Sequence, residues 1–151
     1  MVGTTLAEKR RAKRFHEGVN AFLDNHEENI REAHGIALLC LQRMEEVLRR
    51  ANPESLGADA HMLTTFTDNL KAVREHPLPT FAQAKDAMEG PAASVLIPFL
   101  LSHLTPEDQV EATEVLVQFR RVADLHEFLV SSRESLLARP GIAKVRGDSP
   151  S

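Results

Sequence analysis

Residues 25–34 read NHEENIREAH, two histidines and three glutamates in ten positions. Imidazole and carboxylate groups this close together are the raw material of metal sites and proton shuttles. Spacing decides against most of that. On a helix His26 and His34 share a face but stand about 12 Å apart along the axis, too far to chelate one ion. Helical ligand pairs sit at i and i+3 or i+4, as in the Glu-x-x-His of di-iron bundles. None of the seven histidines has an acid three residues before it, and none has another histidine four away. Glu27 and Glu28 are instead placed to pair with Arg31 on a solvated helix face, with Glu32 beside them.

Three other groups retain some chemical interest. His26 and His126 each fall inside an apolar stripe and each is followed by Glu. Across a core they could share a proton or hold a metal with a third carboxylate; otherwise they are two hydrogen-bonded core histidines. His34 offers the imidazole that a histidine phosphotransfer bundle needs, with Arg31 for the phosphate. The Lys and Gly usual shortly after such a histidine are missing, since Gly35 is followed only by apolar residues. The stretch EKRRAKR (8–14), with Arg49 and Arg50, is the third. Lys9, Arg10, Arg11, Lys13 and Arg14 form a cluster that can bind phosphates by displacing counterions. Only Phe15 adjoins it, so base stacking is not expected, and a solubilising helix start or basic arm is the simpler reading. Cys40 lies in an apolar stripe, which suits an inert thiol. No nucleophile-elbow or Gly-rich phosphate loop is present, so no cofactor is expected.

The elements that position these groups are helical. The chain has 151 residues, 42% hydrophobic and 26% charged, with seven Phe and neither Tyr nor Trp, ordinary proportions for a folded domain. Net charge is −4, and residues 8–14 contribute five cations and one acid, so the remainder sums to −8. A single cysteine excludes an intrachain disulfide and fits a reducing compartment. No apolar run follows the basic stretch, so no signal peptide is expected. The most apolar window, AASVLIPFLL (92–101), is ten residues with a proline inside, against the 20 or so of a membrane span, and is read as a buried core helix.

No period-2 alternation or hairpin turn occurs. Apolar or small residues at 15, 19, 22, 30, 33, 37, 40, 44 and 47 make one helical stripe from about Thr5 to Arg50. Such a helix is about 70 Å long, against about 40 Å for a compact domain of this size. A break or bend is therefore expected near Asp24, whose side chain can cap with Glu27 three residues on. A long helix that pairs with another subunit is the alternative. NPESLGAD (52–59) is a loop in which Asn52 and Pro53 can start a helical turn. A helix from about Asp59 to Glu75 presents Met62, Leu63, Phe66, Leu70 and Val73. HPLPT ends it, Thr80 caps the next with Gln83, and Gly90-Pro91 closes that one. Helix 91–103 contains Pro98, which should kink or split it. TPED (105–108) combines a cap, a first-turn proline and first-turn acids. It opens a helix to about Ala138, with stripe positions Val115, Phe119, Val122, His126, Leu129, Val130 and Leu137, stopped by RPG.

The expectation is an all-α bundle of about five or six helices, with two long helices as its spine. It occupies 1–140 as one domain, with 1–14 as a basic arm or helix start and 141–151 as a flexible tail. The absence of catalytic motifs, and the apolar IALLCL (36–41) outside the main stripe, favour a cytoplasmic, non-enzymatic adaptor or regulator that binds another protein. Self-association as a homodimer fits, and membrane insertion does not. A nucleic-acid-associated regulator using the basic segment is the alternative, and a phosphotransfer or metal-binding bundle comes third.

Overall fold

The computed structural model describes residues 5–141. Residues 142–151, most of the expected tail, and residues 1–4 of the basic arm lie outside the described residues. The described chain is all-α: α1 (Leu6–Leu48), α2 (Pro53–Leu56), a 3-10 turn at Gly57–Asp59, α3 (Ala60–Glu75), α4 (Phe81–Glu89), α5 (Pro91–Leu101) and α6 (Pro106–Leu137). The two long helices are α1 and α6.

Local chemistry sets most boundaries. Thr5 and Glu8 cap α1 reciprocally, with Glu8 N donating to Thr5 Oγ1 at 3.1 Å and Thr5 N to Glu8 Oε2 at 3.2 Å. Asn52 caps α2. Thr80 and Gln83 form the expected capping box of α4. Thr105 Oγ1 accepts from Asp108 N at 3.2 Å at the head of α6. After α6 the chain turns at Gly141, whose φ of 86° lies in the left-handed region that glycine adopts without Cβ strain.

Helix α1 does not break near Asp24; it runs 43 residues without interruption, and Asp24 is an exposed interior residue. No proline falls between 6 and 48, and Gly18 and Gly35 stay helical. A cap at Asp24 would have had to replace intact backbone hydrogen bonds. The length argument assumed that the whole helix covers one core, whereas the main core takes α1 only from Ala37 onward. Of the two outcomes expected at Pro98, a kink or a split, the split does not occur: α5 continues through it to Leu101 at the loss of one backbone donor.

Contacts group the chain into two compact units. The larger, residues 33–125, holds the whole of the main core. Ala37, Cys40, Leu41, Met44, Val47 and Leu48 of α1 are buried there with Leu63, Phe66 and Leu70 of α3, Ala84 and Met88 of α4, Ile97 and Leu100 of α5, and Val115 and Phe119 of α6. Each fully buried Leu, Val, Ile, Phe or Met side chain among these contributes about 1.5–3 kcal/mol. Thr67 is also buried, its hydroxyl satisfied by the Leu63 carbonyl at 2.7 Å. Helix α5 buries one face only: Ala93, Ile97 and Leu100 are inside while Val95 is 69% exposed, so the apolar window is not buried all round.

The smaller unit comprises residues 1–32 and 126–151. Among its described residues only Leu23 and Leu129 are buried. The expected stripe departs from observation here. Phe15 and Phe22 are 57% and 49% exposed, and Leu23 takes the inward position instead.

Candidate functional site

The candidate histidines differ in their surroundings. His26 and His126 belong to the same unit and both are half-buried. The His26 ring lies 4.3 Å from that of Phe22, and its buried Nδ1 makes no hydrogen bond. His34 packs edge-on against Phe81 at 5.9 Å, with Nε2 buried. That nitrogen is closed to an incoming phosphoryl donor. Ser55 and His103 form a looser pair, Oγ to Nδ1 3.4 Å, but the Ser55 hydroxyl donates to the Asn52 carbonyl at 2.9 Å, so the imidazole does not draw its proton. No group of three or more His, Cys, Asp or Glu suited to a metal ion occurs among the described residues. Burial pushes the Cys40 thiol above its ordinary pKa, which keeps it protonated and slow to react.

Charged groups in the larger unit are organised into two networks. In the first, buried Glu45 of α1 accepts from Arg74 of α3 at 2.6 Å and from Arg49 at 3.2 Å, and Arg49 reaches Asp68 at 3.0 Å. The Asp68 hydrogen bond, with Glu45 behind it, raises the Arg49 pKa against a small burial penalty. In the second, Arg50 binds Asp108 at 2.9 Å and Glu111 at 2.6 Å, while Arg43 bonds Glu111 and Glu46. Hydrogen bonds from Arg43 and then Gln42 hold the Glu46 carboxyl below its usual range. These arginines pin α1 to α3 and α6. Arg49 and Arg50 are therefore neutralised by structural partners and do not extend the basic cluster.

A concavity lies on the same unit. A groove of about 630 Å³ runs between α5 and α6, closed at one side by the end of α4. Its lining is mostly apolar, with Met88, Ala93, Ile97, Leu101, Leu116 and Val117 beside Ser94 and Thr113. Its rim is charged: Glu89, Arg120, Arg121 and Asp124. Arg120 approaches Glu89 at 3.8 Å; Arg121 and Asp124 have no ion pair among the described residues. The volume falls within the range of small-molecule ligand pockets. The chain matches no family model, no curated protein and no solved structure.

The five expected basic residues, Lys9, Arg10, Arg11, Lys13 and Arg14, are all exposed on the first turns of α1. Only Lys13 has an ion pair among the described residues, with Glu17 at 4.0 Å. At 100° per residue they spread over more than half the helix circumference rather than forming one stripe.

Sequence reasoning missed the groove and both arginine networks. The Glu45–Arg49 step of four was readable as a helical pair. The Arg43–Glu46 step of three was readable in the same way, but Glu111, which Arg43 and Arg50 share, and Asp108 lie 58 to 68 residues away and leave no local signal. The groove's clue was the excess of apolar residues in 92–101, more than one buried face can absorb.

Proposed function

We propose that the protein works by binding another protein, as a helical adaptor or regulator in the cytoplasm, rather than by catalysis. The observation that carries this reading is the α5–α6 groove, an apolar trough with a charged rim. An amphipathic helix laid in such a trough anchors through side chains at i, i+3, i+4 and i+7, while rim charges fix its orientation. Val117 is exposed on one wall, where a partner would cover it. No helix among the described residues is long and apolar enough to cross a membrane.

Gel filtration of a native-host lysate tests this reading. Tagged protein should elute earlier than the purified chain, and Val117→Arg should return it to the position of the purified chain. Identical elution of wild type and variant would sink the reading.

A second reading rests on the exposure of Lys9, Arg10, Arg11, Lys13 and Arg14. Four of the five have no ion pair among the described residues, so they are available to phosphates. Binding to DNA or RNA should then weaken steeply with salt and be lost when all five are neutralised. An absence of binding at low salt rejects it.

A further inference from the structure

We propose that residues 8–32 of α1 pair with the same segment of a second copy, antiparallel, with Phe22 of each copy seated over Gly18 of the other. This surface shares no residue with the α5–α6 groove, so the two proposals stand or fall separately.

Phe15 and Phe22 are seven residues apart on a helix, both about half exposed. Gly18 and Asn25 complete their face at steps of three and four, and both are exposed. These four residues occupy the central a and d positions of a helix-pairing seam, with Phe15 and Phe22 at a and Gly18 and Asn25 at d. Open space surrounds Gly18, where nothing lies within 4 Å of the place a Cβ would take. A large knob beside a vacant hole on the same helix is self-complementary under a two-fold axis, where residue i meets j and j meets i. Setting Phe22 over Gly18 also sets Phe15 over Asn25, because both pairs sum to 40.

Charge selects the direction. Residues 8–14 carry five cations and one acid, a sum of +4; residues 24–32 carry four acids and one arginine, a sum of −3. A parallel pair would lay the positive stretch against itself. An antiparallel pair lays it against the negative stretch of the partner. In that register the flanking g positions face each other, and Arg14 of one copy meets Glu28 of the other, twice. Arg14 and Glu28 are both exposed, and neither has an ion pair among the described residues. Fourteen residues separate them, about 21 Å along the helix, so they cannot satisfy each other within one chain. Farther out the layers turn polar, Arg11 with Asn29 and Glu8 with Glu32. The seam is therefore short, and the dimer dissociates on dilution.

Sedimentation equilibrium of the full chain tests the pairing, with circular dichroism to check that each variant stays folded. Wild type should show a concentration-dependent dimer. Arg14→Glu alone and Glu28→Arg alone should each weaken it about tenfold or more, since two attractive contacts become repulsive. The double variant should recover wild-type dimerisation, and an equimolar mixture of the two single variants should form a heterodimer. A strict monomer at every concentration overturns the proposal. So does failure of the double variant or of the mixture to recover, because a dimer formed elsewhere, or a structural effect within one chain, would not respond to the exchange.

Discussion

Glu45 is the most consequential charged residue of the larger unit, and its removal has a cost that can be worked out. Its carboxylate is nearly enclosed, 7% exposed, and accepts from Arg74 at 2.6 Å and Arg49 at 3.2 Å. Stripping one partner from a fully buried pair costs about 3–5 kcal/mol, because a charge is left without compensation. Here the full figure does not apply. Arg49 keeps Asp68 and has a side chain 42% exposed to solvent, so its loss is small. Arg74 retains 23% side-chain exposure and has Glu75 at 3.8 Å. Its Nε is already buried without a partner, however, so little further accommodation is available to it. Glu45→Met should therefore cost about 2 kcal/mol, or a fall in Tm of about 4–8 °C for a chain of this length. Urea denaturation followed at 222 nm, alongside a thermal scan, measures both. The decisive arm is the double variant Glu45→Met/Arg74→Met. Replacing both charges with apolar groups of similar size should recover much of the loss, because the penalty comes from the stranded arginine rather than from a missing attraction. If the double variant is less stable than Glu45→Met by the full cost of Arg74→Met, the two residues act independently and the reasoning fails.

Three further outcomes are expected. Thr105→Ala should destabilise by about 1 kcal/mol, because the Asp108 backbone N–H at the head of α6 loses its acceptor, and chemical denaturation reads this directly. Cys40 should resist a thiol reagent in the folded protein and react fully in urea. Because its folded pKa is raised, the stability this thiol contributes is complete below its unfolded pKa near 8.5 and declines as pH rises through the folded value. The Glu46 carboxyl, followed by NMR, should titrate below the usual value of about 4.3. Its contribution to stability is present above that value and lost as pH falls through the folded pKa, and Arg43→Met should move the midpoint back up.

The helices were legible because their signals are local. Asn52-Pro53, Thr80 with Gln83, Gly90-Pro91 and Thr105-Pro106 each mark a boundary within four residues, and each boundary is where the chemistry placed it. The stripes of α3 and α6 and the last third of α1 were legible for the same reason, since helical period reports which face can be buried. Period does not report whether anything arrives to bury it. That is why Phe15 and Phe22, on a good stripe, remain in solvent while their neighbour Leu23 is covered. Asp24 misled for a related reason. An Asp followed three residues later by a Glu can start a helix, but the same pair sits without strain inside one that has already begun. The groove and the α6 partners of Arg43 and Arg50, Asp108 and Glu111, depend on where α6 falls against α1 and α5, which no window of local sequence encodes. His26 and His126 stood out by stripe position alone. Both are half-buried, and no metal-sized cluster involves them among the described residues.

The central claim is that the α5–α6 groove receives another protein, and site-specific photocrosslinking tests it most directly. A photoreactive amino acid at Val117, on the groove wall, is compared in native-host cells with one at Lys71, an exposed residue of α3 outside the groove. The account predicts one discrete adduct with a different polypeptide from Val117, absent from Lys71 and abolished by adding Leu116→Asp. Equal adducts from both positions, no adduct from Val117, or an adduct indifferent to Leu116→Asp would contradict it.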